Sequence, residues 1–375
     1  MSSVSAGVLD RLPAMDVAGR VPRLRAVIGE SAADALLVSK LVNVRYLTGF
    51  TGSAGLLLVL PDEVVLVTDG RYGQQATEQL AAAGVQARVE VSGTAQRELA
   101  SASVSAAGVR RLGLEADAVT WAQQRAYADT WFPDVELEAT VGLVDGLRLV
   151  KDEGEVARIE AAARIADDAL ANVRARLLDQ PTESEFGIEL DFEIRRLGAW
   201  GNSFETIVAS GPNGAKPHHR PSSRRIVEGD LVVLDFGAVV DGYCSDMTRT
   251  VMVGEPSPTQ ARMLEVVTAA QQAGVDAVGD GVATADVDAA CRRVITDAGW
   301  GDAFLHATGH GVGLEIHEAP RVAATADATL APGVVVTVEP GVYLPTHGGV
   351  RVEDTLVVTR DGSRPLTSTP KTTAV

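Results

Sequence analysis

Asp235 and Asp246 flank an Asp241-Gly242 dipeptide that sits between two apolar runs, residues 231–235 and 243–250. Asp-Gly in that setting is a strong signal for a two-residue hairpin turn. With those residues as the turn, Val240 pairs with Tyr243 and Gly237 with Asp246, which leaves Asp235 two residues along on the same face. Diagonal neighbours of this kind have Cβ atoms roughly 7–8 Å apart, a span that two short carboxylates can close around metal ions. Two unpaired anions on an otherwise apolar strand pair are costly without cations. The plain alternative, a pair of solvent-facing strand aspartates, does not explain a shared face with no lysine nearby.

The C-terminal half adds Gly309-His310-Gly311-Val312-Gly313, then His317-Glu318, then Val338-Glu339-Pro340-Gly341, then Arg351-Val352-Glu353-Asp354. Glu339 closes an apolar or β-branched run, residues 334–338, an odd place for a solvated charge. Strand alternation puts Arg351 and Glu353 on one face. Four carboxylates and one imidazole at strand ends match an oxygen-rich pair of divalent sites, and the single nitrogen ligand favours manganese, cobalt or zinc over calcium. All six histidines, at 218, 219, 306, 310, 317 and 347, lie in this half. A lone histidine is more often a satisfied surface or core residue than a ligand, so neighbours must decide each one.

The ordered set Asp235, Asp246, His310, Glu339 and Glu353, carried by LDFGAVVDGYCSDMTR, GHGVGLEIHEAP, VTVEPGVY and VRVEDT, resembles the metal site of the pita-bread metallopeptidases. Arg351-x-Glu353-Asp354 and a separate preceding domain resemble the Xaa-Pro branch, the prolidases and aminopeptidase P. NVRYLTGFTGS (residues 43–53) and TDGRY (residues 68–72) are similar to that branch's first domain. The resemblance spans nearly the whole chain.

It implies two divalent ions, Mn2+ first with Co2+ or Zn2+ as alternatives. Asp246 and Glu353 would bridge both, Asp235 would bind one, and His310 with Glu339 would complete the other. Glu339 would also relay a proton, and Arg351 would orient a ligand carboxylate from behind. His218, in GPNGAKPHHRP, and His317 match the branch's two substrate-handling histidines, and His306 matches a further histidine behind the site. Arg321 resembles an arginine that some prolidases place near the substrate's C-terminal carboxylate. His219 and His347 have no such support and read as surface residues. The implied substrates are proline-containing dipeptides or short peptides, cut between the N-terminal residue and proline. A dipeptidase is the first reading and an aminopeptidase for longer peptides the second. A homodimer is implied as well.

Three competing readings are weighed against this one. Methionine aminopeptidases share the ligand set but usually lack such a preceding domain, and creatinase-like hydrolases resemble a version without metal ligands. A non-catalytic binding module on the same fold would be marked by lost ligands, and here all five positions are filled.

Elements must hold these residues in place. At 375 residues the chain exceeds the size at which one core usually stops growing. The expected division is an α/β domain over 1–145 and an α+β pita-bread catalytic domain with a pseudo-twofold repeat over 146–375. In the first, strands are expected at 35–38, 56–60, 64–68, 89–91 and 112–115, and helices at 71–83, 94–107 and 121–131. In the second, an amphipathic helix starts near Asp152 and stops at Asp179-Gln180-Pro181. Thr182 with Glu185 forms a capping box for the next helix. Strands follow at 206–209, 231–236 and 243–253. Helices at 258–274 and 285–298 then lead to strands near 304–308, 334–339 and 350–358, so the order helix, helix, strands recurs.

A formal net charge of −17 repels phosphate backbones and anionic lipid surfaces, which argues against nucleic acid or membrane as partners. Cys244 and Cys291 are too few and too far apart for a disulfide framework or a cysteine metal site. Asp10, Arg11, Asp16 and Arg20 interrupt the apolar residues of the N-terminus, and the expectation is a cytoplasmic protein.

Overall fold

A computed structural model describes residues 11–371 and 374–375. The chain divides into two compact units, one spanning Asp16–Arg148 and the other Leu149–Val375, with residues 11–15 grouped with the latter. The expected start at residue 1 of the first domain is therefore corrected for 11–15. Arg158 donates to the Pro13 carbonyl at 2.9 Å, and a Cβ added at Gly154 would lie 2.6 Å from the Ala14 carbonyl oxygen. The glycine makes room for that strand of chain.

In the Asp16–Arg148 unit, β1 (Ala35–Val38), β2 (Leu56–Val59), β3 (Val64–Thr68), β4 (Arg88–Val91), β5 (Arg111–Glu115) and β6 (Glu136–Thr140) form one sheet in the order β4-β3-β2-β1-β5-β6. The central strands read as unbroken apolar runs because both their faces are buried. β6 was not expected: it is an edge strand carrying Glu136 and Glu138 on a largely exposed surface, so its sequence lacks the apolar signal. The expected helices occupy Gly73–Ala82, Gln96–Ala106 and Trp121–Ala126.

The Leu149–Val375 unit opens on helices Glu153–Val173 and Glu183–Arg196, each started by a reciprocal capping box, Asp152 with Glu155 and Thr182 with Glu185. A cap of this kind contributes about 1 kcal/mol. Then come β7 (Gly201–Asn202), β8 (Ile207–Ser210), β9 (Leu231–Phe236), β10 (Ala238–Val240), β11 (Tyr243–Cys244) and β12 (Met247–Met252). Helices Pro258–Ala277 and Thr284–Asp297 start the second round. It continues with β13 (Gly309–Gly311), β14 (Glu318–Val322), β15 (Val335–Val338), β16 (Gly341–Leu344), β17 (Gly348–Arg351), β18 (Asp354–Thr359) and β19 (Gly362–Pro365). Each round buries its own core. Phe186, Leu190, Val232, Leu234 and Met247 pack in the first, and Met263, Val267, Val287, Val336 and Leu356 in the second.

Three strand expectations are corrected, and each correction falls beside the site. No strand forms at 304–308; pairing starts at β13 instead, because only glycine permits the approach. A Cβ at Gly309 would lie 2.0 Å from the Thr337 carbonyl oxygen, and one at Gly311 would lie 2.2 Å from that of Ala319. The expected 243–253 strand is interrupted at Ser245-Asp246 and the 350–358 strand at Val352-Glu353. Both breaks free a carboxylate from the regular pleat.

Gly309→Ala should therefore destabilise the metal-free protein by about 2 kcal/mol, the scale of an overpacked core. Denaturant unfolding in the presence of a chelator measures this, and an unchanged midpoint would refute the close-approach argument.

Candidate metal centre

Asp241 and Gly242 both have left-handed backbone, φ 45 and φ 76, as a tight hairpin between twisted strands requires. Val240 pairs with Tyr243, Phe236 with Met247, and Asp235 with Thr248, so one register runs through both ladders of the hairpin. Asp246 is the diagonal neighbour of Asp235. Between the ladders the strands press together at Gly237, where a Cβ would lie 1.9 Å from the Ser245 carbonyl oxygen.

This hairpin and the break after β17 bring Asp235, Asp246 and Glu353 together, with a carboxylate oxygen of each within 4.8 Å of the others. His310 Nε2 lies 3.5 Å from Asp246 Oδ2 and 3.4 Å from Glu339 Oε1, which joins the remaining two residues to the cluster. His310 Nδ1 lies 2.9 Å from the Gly311 carbonyl oxygen, an acceptor only, so Nδ1 carries the hydrogen and the Nε2 lone pair faces the carboxylates. Burial pushes this imidazole down to about 4, which keeps it neutral and able to ligate.

The acids are in the opposite condition. Burial, and then the charges of Glu353, Asp235 and Glu339, raise the Asp246 carboxyl well above its ordinary range. Burial, with Glu339 and Asp235 beside it, does the same to Glu353, and burial pushes Glu339 up to about 8. Glu353 Oε2 accepts from the Thr248 hydroxyl at 2.7 Å, yet Glu353 Oε1 and Asp235 Oδ1 are buried with no hydrogen-bond partner. Orphaned carboxylate oxygens are costly, and an inward imidazole lone pair cannot fill them. Divalent cations fit this donor set: they would occupy both orphaned oxygens and the lone pair, and remove the repulsion.

Arg351 backs the cluster. Its Nη2 donates to Asp235 Oδ2 at 2.6 Å, its Nε to Thr248 Oγ1 at 3.0 Å, and its Nη1 to the Tyr343 hydroxyl at 2.8 Å and the Pro217 carbonyl at 3.2 Å. Since the Tyr343 oxygen accepts from Arg351, its proton goes to His306 Nε2 at 2.8 Å, while His306 Nδ1 donates to the Ala307 carbonyl. Burial holds that phenol up at about 12 and His306 down at about 4, so both keep these roles across the neutral range. Sequence reasoning missed Tyr343. The signal was available: Tyr343 follows Glu339 with strand parity, and Gly341 between them leaves space its Cβ would deny the phenol, 2.6 Å from the hydroxyl.

Above the cluster opens a cavity of about 400 Å3 lined by Phe204, Ile207 and Ile316 as well as the polar groups. His218 and His317 are exposed on its wall, and the His317 ring centroid lies 4.4 Å from that of His310. His219, expected at the surface, is corrected: it lines the cavity and its Nε2 lies 2.9 Å from Glu183 Oε2. Arg321, which the resemblance puts near a substrate carboxylate, lies elsewhere in the structure. It is exposed on β14, whose buried positions are Pro320 and Val322, and it does not line the cavity. The mouth carries Arg220 instead, paired with Glu205 at 3.1 Å. His347 stays outside, beside the Thr346 hydroxyl.

The profile of metallopeptidase family M24 matches residues 157–360, more than half of the chain, and that of the creatinase/prolidase N-terminal domain matches residues 20–150. The chain belongs to metallopeptidase family M24. It is 32% identical over 356 residues to the Xaa-Pro dipeptidase of Pyrococcus horikoshii, covering 94% of this chain and 97% of that one. Its fold superposes with a TM-score of 0.92 on the Xaa-Pro dipeptidase from Bacillus anthracis, at 39% identity over 96% of this chain and all of the other. The X-Pro aminopeptidase from Thermotoga maritima superposes with a TM-score of 0.86 at 33% identity, covering 93% and 100%. The expected architecture holds: a creatinase/prolidase-like α/β domain and a pita-bread catalytic domain. As an M24 metallopeptidase the chain is a metal-dependent hydrolase, and its carboxylate cluster is where divalent ions fit. Among the described residues, no helix is long and apolar enough to cross a membrane.

Two consequences for stability follow from the buried acids. In metal-free M24 peptidase, Glu339 keeps its proton up to about 8 when folded, whereas an unfolded glutamate loses it near ~4.3. His306 and His310, held down at about 4 when folded, act in the opposite sense until an unfolded histidine has lost its proton near ~6.5; above that the folded state binds more protons, so metal-free stability falls as pH rises from about 7 to about 8. Manganese at about a hundredfold excess over its Kd should add about 2.7 kcal/mol. Thermal unfolding at several pH values, with chelator or with manganese, checks both; a Tm indifferent to complete metal removal would contradict the metal assignment.

Proposed function

We propose that this M24 peptidase hydrolyses the bond between an N-terminal residue and proline in dipeptides and short peptides, as an Xaa-Pro dipeptidase. The observation that carries the reading is the cluster itself: two orphaned carboxylate oxygens and an inward imidazole lone pair at the floor of a cavity. The names of the relatives supply the Xaa-Pro substrate class. Asp235, Asp246, His310, Glu339 and Glu353 would hold two divalent ions. Manganese is our first choice, and cobalt or zinc suits the same donors.

Bound divalent ions supply Lewis acidity toward water and a carbonyl oxygen. The chain's own residues do the rest. Glu339, beside His310 at the cavity floor, takes a proton from the attacking water and returns it to the leaving proline nitrogen. His317 and His218 donate to the substrate carbonyl as negative charge develops on it. Phe204, Ile207 and Ile316 offer an apolar wall suited to a pyrrolidine ring. Arg351 fixes Asp235, so that the ligand does not drift toward solvent. We place the enzyme in the cytoplasm as a homodimer, on its two buried free thiols and on the resemblance respectively.

One observation favours a second reading, an Xaa-Pro aminopeptidase for longer peptides. Arg321, which would have paired with a dipeptide's carboxylate, lies outside the cavity. Hydrolysis of Ala-Pro, Ala-Pro-Ala and Met-Ala-Ser with added manganese decides between them: Ala-Pro should be cut fastest, a preference for Ala-Pro-Ala selects the second reading, and cleavage of Met-Ala-Ser alone overturns both. Asp246→Ala or Glu353→Ala should leave a folded protein with less than about a tenth of wild-type activity at saturating manganese. Greater residual activity would remove that residue from the set.

A further inference from the structure

Glu183 is the first residue of the helix Glu183–Arg196 and is fully buried, yet no part of it lines the cavity. Its Oε1 accepts from the Ser210 amide at 2.8 Å, the Ser210 hydroxyl at 2.7 Å and Asn213 Nδ2 at 3.1 Å. Its Oε2 accepts from the Ser222 amide at 3.0 Å and from the Ser222 hydroxyl, and meets His219 Nε2 at 2.9 Å. Burial works against ionisation here, but donors from Ser222, Ser210 and His219 hold the carboxyl at about 2. Glu183 is therefore a carboxylate, and His219 Nε2 must be the donor.

These partners are distributed in an informative way. Asn213, His219 and Ser222 all belong to the segment that carries His218 over the cavity. On the near side of His218, the Pro217 carbonyl accepts from Arg351, which grips the ligand Asp235. On the far side, His219 and Ser222 are tied to Glu183, and the hydroxyl of Ser184 next to it donates to the Pro221 carbonyl at 3.0 Å. His218 thus stands between two charged anchors, one reaching the metal centre and the other reaching the start of a helix. Neither anchor touches the imidazole itself.

We propose that Glu183 is a positioning residue that, through His219 and Ser222, fixes the 217–222 loop and with it the His218 imidazole over the carboxylate cluster. The kinetic part rests on the reading of His218 as a substrate-handling group; the anchoring part does not. A merely structural Glu183 would lower stability without acting through His218.

Two measurements separate these cases. By hydrogen exchange, Glu183→Gln should accelerate residues 216–222 at least about tenfold and leave β9 and β12 near wild-type rates. On the manganese-loaded enzyme the same variant should lose about tenfold in kcat/KM for Ala-Pro with unchanged metal content. In a His218→Ala background it should lose less than about twofold, because the group it positions is already gone. Unchanged loop exchange, or equal losses in both backgrounds, overturns the proposal. If Glu183→Gln does not fold, His219→Phe removes one anchoring donor and carries both measurements. A wild-type enzyme inert toward both Ala-Pro and Ala-Pro-Ala would overturn the Xaa-Pro reading alone, and the exchange result would still decide the anchor.

Discussion

Mutual repulsion among buried carboxylates is the constraint to which the catalytic unit answers. Asp235, Asp246, Glu339 and Glu353 converge where burial raises the last three well above the ordinary carboxylate range. Left to itself such a cluster would relax by protonation or by swinging outward. Without cations the raised groups hold protons, but three of the acids are kept from swinging outward by a partner behind them: Asp235 by Arg351, Glu353 by Thr248, and Glu339 by the Thr337 hydroxyl at 3.2 Å. The protein holds the geometry and leaves the charge to be balanced by cations.

Holding that geometry requires backbones closer than side chains permit. Gly237, Gly309 and Gly311 each occupy a point where a Cβ would lie 1.9, 2.0 and 2.2 Å from a neighbouring carbonyl oxygen. The ladders break at Asp246 and Glu353, where a carboxylate leaves the pleat. A regular sheet would point alternate residues away from the cluster, so irregularity here is what the site demands.

What could be read from the sequence follows from the same physics. Asp241-Gly242 announced a turn, the turn set a register, and the register put Asp235 and Asp246 on one face; local rules sufficed. The five candidate ligands could be collected because a charge at the end of an apolar strand is anomalous wherever it stands. Partners whose chemistry is ordinary stayed hidden. Tyr343 is one tyrosine among apolar residues, and only the fold shows that its hydroxyl sits between Arg351 and His306. Glu183 looks like any helix-starting acid, favourable near the N-terminal dipole, until the fold brings Ser210, Asn213, His219 and Ser222 around it. Arg321 failed in the other direction. The resemblance put it near a substrate carboxylate, but β14 buries Pro320 and Val322 and leaves Arg321 exposed.

Arg351 joins the two halves of the chemistry. One guanidinium holds the Asp235 carboxylate through Nη2, Glu353 indirectly through Nε and Thr248, and the loop that carries His218 through Nη1 and the Pro217 carbonyl. These acceptors lie in different directions in one plane, which a planar fork can satisfy and a lysine ammonium on a flexible stem cannot. Its charge is also needed: fully buried among acids, it offsets part of the repulsion that cations must otherwise neutralise. A displacement of Asp235 would therefore reach the Pro217 carbonyl through one rigid group. The wall that carries His218 is thus tied to the metal centre at Arg351 and to the start of the helix Glu183–Arg196 at Glu183.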